Sequence, residues 1–222
     1  MKFAYSEIET VFNLNNGHFN SLVIESQDVF VRLLSDIHGQ IEGFEGESII
    51  SDCDVPLLFA KRAALLDAFV PFDLNRKALI NKLIAALEKK AHEAEHFEDV
   101  STVLAQLENL LDGLSLDVPC ELIYANLTIG ALIKAAGPEL KADGATIAEK
   151  VLNYIELVTE YDCERLFFLV NIRSYIADDE MELFAQTIIS HGYQVLDIES
   201  CNHTPLINEL RVTIDADMCE IT

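Results

Sequence analysis

Basic residues are scarce in this sequence. Its 222 residues include only 15 lysines and arginines against 38 aspartates and glutamates, a formal net charge of −23 at pH 7. A protein this acidic repels nucleic acid at long range, so composition alone argues against DNA binding. Any interpretation as a DNA-binding protein therefore requires a local positive surface that the overall charge conceals.

Long apolar runs are also missing. No stretch reaches the roughly 18 uncharged apolar residues that a membrane-spanning helix needs. The first twelve residues, MKFAYSEIETVF, carry two acids and lack the continuous apolar segment of a signal peptide. Half of the residues are nevertheless hydrophobic, so one well-buried domain, with or without a smaller appendage, is expected. We predict a cytoplasmic protein.

The five cysteines are scattered, and no two are closer than 18 residues. The sequence therefore holds no C-x-x-C pair of the kind that begins a zinc site or a redox motif. Widely spaced cysteines in odd number suit reduced thiols of the cytoplasm. No cysteine is assigned a nucleophilic role from the sequence.

Strand and helix signals alternate at both ends of the chain, with helices between them. Turn residues and short β-prone runs, alternating with amphipathic helices, predict a mainly parallel sheet. The predicted strands are 19–25, 48–50, a brief one at Leu140, Leu166–Val170, 194–198 and 211–214, with 63–70 as strand or helix. The predicted helices of these parts are 27–38, 147–159 and Asp178–His191. Ser26 is expected to cap the first, and a capping box of Thr146 and Glu149 is expected to begin the second.

The middle of the chain is predicted to be helical over 74–95, 100–112 and 127–136, because apolar residues recur there with helical period. Antiparallel helices inserted into an α/β chain would form a protruding arm. We predict an α/β head from residues 1–72 and 138–222, and an α-helical arm from 73–137.

The head is not expected to hydrolyse nucleotides. A P-loop needs glycines whose N–H groups surround the phosphates, and a lysine to neutralise them. The first strand-to-helix junction reads Ile24-Glu25-Ser26-Gln27-Asp28 instead, with two acids and no glycine. The apolar strand that should end in a magnesium-binding acid ends in Asn171.

A second candidate site is the sequence His92-Glu93-Ala94-Glu95-His96, which matches the H-E-x-x-H pattern of zinc hydrolases. On one helix the two histidines would lie a turn apart and share a zinc ion, with Glu93 as general base. The surrounding segment is almost wholly charged, and no third ligand follows at a recognisable spacing. A solvated helix end is therefore the alternative interpretation.

The few basic residues cluster on one predicted helix. Five of the fifteen lie within positions 76–90, and Lys82 and Lys89 are two helical turns apart, so they project from one face about 10 Å apart. A soluble helix surface explains this spacing equally well, and Glu88 and Glu93 dilute the positive charge.

Several segments resemble one known family. Residues 72–75 leading into 78–88, then 132–137, 146–150, 166–171 and 178–199 follow the order and spacing of the Csn-two family of type II-A CRISPR systems. The likeness covers residues 65–222 well and the beginning of the chain in outline. None of these segments is catalytic, and their shared order carries the resemblance.

The resemblance implies a non-catalytic, cytoplasmic protein of CRISPR adaptive immunity that supports spacer acquisition. Family members have an α/β head resembling a P-loop NTPase sheet without its working P-loop, and a helical arm. Four copies form a ring around double-stranded DNA ends, with lysines lining the opening. Implied partners are the two integration proteins and the RNA-guided effector nuclease. The residues implied to contact DNA phosphates are Lys82, Lys89, Lys90 and Lys134, followed by Arg76 and Lys77.

Family members also bind calcium through an acidic cluster where arm and head meet. In this chain only Asp117, Glu121 and Asn126 remain as side-chain candidates near the matching positions. Calcium takes six to eight oxygen ligands, and apolar Ile123, Ala125 and Ala131 stand where the family carries acids. We therefore do not predict calcium as a cofactor, and we expect no nucleotide.

Two other functions remain open from the residues alone. One is a zinc-dependent hydrolase acting through His92, Glu93 and His96. The other is an acidic protein-interaction module without affinity for DNA.

Overall fold

A computed structural model describes residues 1–116, 118–120, 122–124, 127–141 and 144–222. The chain divides into two compact units. The α/β unit comprises Met1–Phe72 and Ala142–Thr222, and the helical unit comprises Asp73–Lys141.

The helices and strands are as follows in chain order. Before the helical unit come β1 (Lys2–Ala4), β2 (Phe12–Asn13), β3 (Phe19–Ile24), α1 (Gln27–Ile41), β4 (Ile49–Asp52), β5 (Val55–Leu57), α2 (Phe59–Arg62) and β6 (Ala63–Leu66). The helical unit contains α3 (Lys77–Ala91), α4 (Phe97–Ser115) and α5 (Ile129–Ala136). After it come α6 (Ile147–Tyr161), β7 (Leu166–Val170), a 3₁₀ turn (Ile172–Ser174), α7 (Asp178–His191), β8 (Val195–Glu199), β9 (Glu209–Ile214) and β10 (Glu220–Ile221).

The main sheet of the α/β unit is mixed, in the order β10-β9-β3-β8-β7-β6. All neighbours from β9 to β6 are parallel, and β10 pairs antiparallel with β9. The sequence of β7, Leu-Phe-Phe-Leu-Val, is buried at every position, as a central strand covered on both faces must be. The predicted α/β class with parallel strands is thus confirmed.

Two layers cover this sheet. On one face, Phe168 meets Phe3 of β1 at 5.1 Å between ring centroids and stacks on Phe59 of α2. Leu33 of α1 belongs to the same core. On the other face, rings of α6 and α7 lie edge-on to sheet phenylalanines, as in the Phe19–Phe184 pair. A small antiparallel sheet, β2-β1-β4-β5, completes the unit.

In the helical unit, α3 packs against α5. Thr128 caps α5 by accepting a hydrogen bond from the Ala131 N–H at 3.1 Å, and Gly137 ends it with a φ of +61°. Among the described residues, no helix combines the length and apolarity that crossing a bilayer requires.

Three predicted details were wrong. No strand forms at Leu140, because its backbone N–H and C=O are bonded to the side-chain amide of Asn75 and cannot join a strand ladder. The first helix of the middle region ends at Ala91, four residues earlier than predicted. Ser26 occupies the N-cap of α1, yet its side chain makes no capping hydrogen bond.

Candidate nucleic-acid interface

The basic residues of the chain are concentrated in the helical unit. Residues 73–141 hold seven of the fifteen lysines and arginines but only eleven of the thirty-eight acids. The formal net charge of this unit is therefore −4, against −23 for the whole chain. Phosphate would meet far less repulsion here than elsewhere on the protein.

Helix α3 presents a face on which lysines alternate with small residues. Lys82 and Lys89 are both exposed and lie two turns, about 10 Å, apart. Ala78 and Ala85 lie on the same side and are exposed as well. The buried residues of α3 are Leu79 and Ile84. Small side chains between the lysines leave room for a bulky polyanion to approach the helix.

The acid expected to weaken this face is turned away from it. Glu88 is half-buried, and its carboxylate packs against Gly130 of α5, where a Cβ atom would overlap it. Glu93 lies beyond the end of α3, in the turn that leads to α4. The face bearing Lys82 and Lys89 therefore carries no acidic side chain of its own helix.

The other candidate cations are distributed over the same unit. Lys90 is exposed but lies about 100° around the helix from Lys89. Lys77 is exposed at the first residue of α3, and Arg76, at the N-cap, is half-buried. Lys134 is exposed in the last turn of α5. Within the described part of the chain, the side chains of Lys77, Lys89, Lys90 and Lys134 form no ion pair.

Helix α4 exposes an apolar surface. None of its described residues is buried, although its sequence is amphipathic. Val103, Leu110 and Leu114 recur at intervals of seven and four and are 49%, 57% and 62% exposed. Such a stripe on a solvated helix is typical of a surface that another molecule covers.

The H-E-x-x-H sequence does not lie on a helix. His92 is the C-cap of α3, His96 is the N-cap of α4, and the residues between them form a turn. The one-face arrangement that the zinc hypothesis requires is therefore absent. No cluster of three or more potential metal ligands occurs among the residues described. The calcium candidates Asp117, Glu121 and Asn126 lie outside the described residues.

A buried polar network links the carboxyl ends of β7 and β8 with the first residues of β9. Glu209 on β9 accepts two hydrogen bonds from Arg211, at 3.0 and 2.9 Å. Arg173, in the 3₁₀ turn after β7, lies 3.8 Å from the same carboxylate. Its N–H donates to Glu199 on β8 at 3.0 Å. These polar groups are thus bonded to one another within the chain.

Asn171 stands where a magnesium-binding acid would follow β7. It adopts a left-handed backbone conformation, with a φ of +54°, and its Oδ1 accepts hydrogen bonds from the N–H and hydroxyl of Ser200. The residue therefore anchors a loop of the chain itself. The missing acid is visible in the sequence, whereas this anchoring role is not.

Two buried carboxyl groups of the network have raised pKa values. Burial, with the neighbouring Glu199 charge, raises the pKa of Asp197 well above its ordinary value. Burial also raises the pKa of Glu199, against the opposing effect of the Arg173 N–H and His203. Neither carboxyl oxygen of Asp197 accepts a hydrogen bond from an N–H or hydroxyl group in the described part of the chain, and the carboxyl group contacts that of Glu199. These two residues carry no recognisable signal in the sequence, because each is an isolated polar residue within an apolar strand.

Comparison with known proteins places the chain in a family. The family model described as CRISPR-associated protein (Cas_Csn2) matches residues 40–218. A protein of Enterococcus faecalis, described as CRISPR-associated protein Csn2, is 20% identical over 200 residues, covering 90% of each chain.

The fold has a counterpart among solved structures. The crystal structure of Stu0660 of Streptococcus thermophilus superposes with a TM-score of 0.55 at 14% identity, over 91% of this chain and 69% of that one. At this identity the likeness concerns the fold alone. The family match extends over about four fifths of the sequence. The chain therefore belongs to the Cas_Csn2 family of CRISPR-associated proteins.

Proposed function

We propose that this protein is a non-catalytic, cytoplasmic component of type II-A CRISPR immunity that binds double-stranded DNA ends as a homotetrameric ring. It would hold DNA during the acquisition of new spacers, alongside the integration proteins and the effector nuclease of the same system. The observation that carries the proposal is the exposed α3 face bearing Lys82 and Lys89, which lies in the least acidic part of the chain.

The contacts would be to phosphates and not to bases. Lysine ammonium groups are compact charges that neutralise phosphate without reading sequence. A spacing of about 10 Å corresponds to roughly three base-pair rises along one strand. Binding would therefore be independent of DNA sequence and would weaken steeply with salt.

Assembly is what reconciles DNA binding with the acidic composition. One copy offers few cations, but a closed ring repeats each of them around one opening while the acids face outward. The apolar stripe of α4 supports assembly, since Leu110 and Leu114 are exposed on a single copy. The parallel sheet would be a degenerate P-loop NTPase topology, with Arg173 and Glu199 bonded to each other at its carboxyl edge.

Calcium is not part of the proposal. Ile123, Ala125 and Ala131 cannot supply carboxylate oxygens, and calcium requires several. DNA affinity is accordingly expected to be the same with and without a chelator.

The test is the binding of linear duplex DNA measured across salt concentrations. Each phosphate contact contributes about 0.9 to the slope of log K against log salt. The double variant Lys82→Ala/Lys89→Ala should weaken binding and make this slope shallower. In a tetramer each substituted position removes four phosphate contacts, so the magnitude of the slope should fall by up to about 4 per position. A sealed circular duplex should compete poorly, because a ring needs an end to thread.

The matched control is Lys61→Ala, which removes an exposed lysine from α2 in the α/β unit. It should leave both affinity and slope unchanged. Absence of any duplex binding at low salt would instead favour the acidic protein-interaction module. If Lys61→Ala and the double variant lost equal DNA affinity, the effect would be explained by net charge alone. That result would contradict a role for the α3 face.

A further inference from the structure

Two carboxyl groups lie side by side in the interior of the α/β unit. Asp197 and Glu199 are two residues apart on β8, so their side chains leave the same face of the strand. Their exposed fractions are 0% and 1%, and their carboxyl groups are in contact. Two ionised carboxylates in contact away from water would repel each other strongly. The contact is therefore attractive only if a proton lies between the two groups.

The hydrogen bonds around the pair indicate which group carries the proton. Oε1 of Glu199 accepts the backbone N–H of Arg173 at 3.0 Å, and Oε2 lies 3.1 Å from Nε2 of His203. When Nε2 carries a proton, both groups donate to Glu199 and stabilise it as a carboxylate. Asp197 accepts no hydrogen bond from an N–H or hydroxyl group in the described part of the chain. The proton is thus assigned to Asp197, which donates to Glu199.

Glu199 also connects the sheet to two segments that follow strands. Through Arg173 it holds the 3₁₀ turn after β7, and through His203 it holds the loop of residues 200–208, the β8–β9 loop. The guanidinium group of Arg173 donates to the carbonyl of Thr204 at 2.6 Å, so turn and loop are also joined to each other. The position of the Glu199 carboxylate therefore determines how both segments are held against the sheet.

We propose that Asp197 and Glu199 share a single proton in the folded protein, and that loss of this proton releases the 3₁₀ turn and the β8–β9 loop from the sheet. Once both groups are ionised, each repels the other. Asp197 lies in the middle of β8, which is paired with β3 on one side and β7 on the other, so it stays in place. Glu199 is the last residue of β8, and its side chain turns away and gives up its bonds to the turn and the loop.

The surroundings of the pair set the direction of its pH dependence. The charged and titratable groups packed around it are Arg173 in the 3₁₀ turn, His203 in the β8–β9 loop, Glu209 and Arg211 on β9, and Asp178 at the start of α7. Beside Asp197, β3 and β7 place only the uncharged Ser21 and Leu169. Burial, with the charge of Glu199, raises the pKa of Asp197 well above its ordinary value of 3.8, whereas Arg173 opposes this rise. The stabilisation is therefore fully present below pH 3.8 and is lost as the pH rises through the raised pKa.

The shared proton is tested by the infrared absorption of protonated carboxyl groups at pH 7, where ordinary carboxyl groups are ionised. The unmodified protein should show this band, and Asp197→Asn should lose it. Glu199→Gln should lower the pH at which the band is lost, because the charge that raises the pKa of Asp197 has been removed. Absence of the band from the unmodified protein at pH 7 would overturn the proposal without any variant. A band that persists in Asp197→Asn would belong to another group and contradict the assignment.

Release of the turn and the loop is tested by hydrogen exchange of peptides that cover residues 171–176 and 200–208. The amide introduced by Asp197→Asn can donate to Glu199 at every pH, so this variant should keep both segments in place. At about pH 9 both peptides should exchange about tenfold faster in the unmodified protein than in Asp197→Asn, and at about pH 6 the two proteins should agree within about twofold. Equal exchange at about pH 9 would refute the link between the proton and the two segments.

The matched control is Asp67→Asn, which removes an exposed carboxylate of the same unit. Its exchange should follow that of the unmodified protein at both pH values. Should Asp197→Asn fail to fold, Glu199→Gln provides the same comparison, because it also removes one of the two charges. If α1 exchanged faster at about pH 9 to the same extent as the two segments, the whole unit would be unfolding, and a local release would be excluded.

Discussion

Asp197 shows how a single residue can oppose the stability of the fold that contains it. The side chain is fully buried on β8, lies beside the equally buried Ser21 of β3, and accepts no hydrogen bond from an N–H or hydroxyl group of the described residues. Its carboxyl group contacts that of Glu199. A carboxylate in such a place is costly, so the protonated form is favoured and the pKa is raised. Nothing in the proposed DNA binding uses this group.

Asp197→Asn should therefore stabilise the protein at neutral pH. Since the folded chain holds the proton more tightly than the unfolded chain, the stability contributed by Asp197 falls as pH rises above the ordinary value of 3.8. The variant should match the unmodified protein near pH 4 and exceed its free energy of unfolding by about 1 kcal/mol or more at pH 7, as relief of an unpaired buried charge allows. Denaturant unfolding at several pH values measures this difference.

The control is Asp67→Asn, which changes an exposed carboxylate of the same unit. It should stay within about 0.5 kcal/mol at every pH. A lower free energy of unfolding for Asp197→Asn at neutral pH would contradict this prediction. It would mean that the Asp197 carboxyl group is ionised and stabilised by Arg173, contrary to its raised pKa.

At the scale of elements, the two predicted helix caps had different outcomes. The Thr146 hydroxyl accepts from the Glu149 N–H at 3.2 Å, and the Glu149 carboxylate accepts from the Thr146 N–H at 2.8 Å, so the predicted capping box of α6 is confirmed. Ser26 begins α1 without a capping hydrogen bond. We therefore expect an N-cap hydroxyl to add stability only where it accepts a hydrogen bond from an N–H group of the first helical turn.

Thr146→Ala should lower the free energy of unfolding by about 1 kcal/mol, the usual effect of removing an N-cap hydroxyl. Thr146→Ser should restore most of that loss. Ser26→Ala, the matched change at the other helix, should have an effect close to zero. Thermal or denaturant unfolding of the three variants measures the contrast, and equal losses at Thr146 and Ser26 would contradict the assigned geometry.

At the scale of the whole molecule, charge and oligomeric state are linked. The α/β unit carries most of the net negative charge, whereas the helical unit holds nearly half of the cations and exposes the apolar stripe of α4. The exposed apolar side chains of α4 favour contact between copies, and assembly brings together the few cations of each copy. Assembly and DNA affinity should therefore be lost together.

Leu110→Glu tests this link. A glutamate on the exposed side of α4 should not disturb the folded chain, since Leu110 is 57% exposed, but it should prevent apolar contact between copies. We expect the unmodified protein to have a mass of about 99 kDa, four times 24.8 kDa, and the variant to be smaller and to bind DNA weakly. Light scattering after size exclusion measures the masses.

Val31→Glu, at a 60% exposed position of α1, is the control and should keep the tetramer. A monomeric unmodified protein that still binds duplex ends would contradict the ring. A tetramer that survives Leu110→Glu would place the contact between copies elsewhere than α4.

Local patterns in the sequence determined much of the fold. β7 and α7 begin and end as predicted, because a fully apolar five-residue run and a 3.6-residue period are properties of neighbouring residues. The spacing of Lys82 and Lys89 followed from helix geometry in the same way. Family membership also came from the order of such segments along the chain.

Glycines and loops were less predictable. Gly39 lies within α1, and of Gly39, Gly43 and Gly46 only Gly43 has a positive φ, +97°. Gly46 is required for another reason, because a Cβ atom there would collide with Asp36, which accepts the Glu47 and Ser48 N–H groups. Only the packed structure reveals that close approach.

Contacts between distant segments were decided by the tertiary structure. Arg173, Glu199 and Glu209 lie on separate elements. They meet because the Arg173 backbone N–H bonds to Glu199 at the end of β8 while its guanidinium lies near Glu209 at the beginning of β9. The orientation of Glu88 toward Gly130, and the turn that separates His92 from His96, likewise depend on how helices pack. Periodicity reports which side of an element is apolar, whereas strand register and helix packing determine which residues face each other across it.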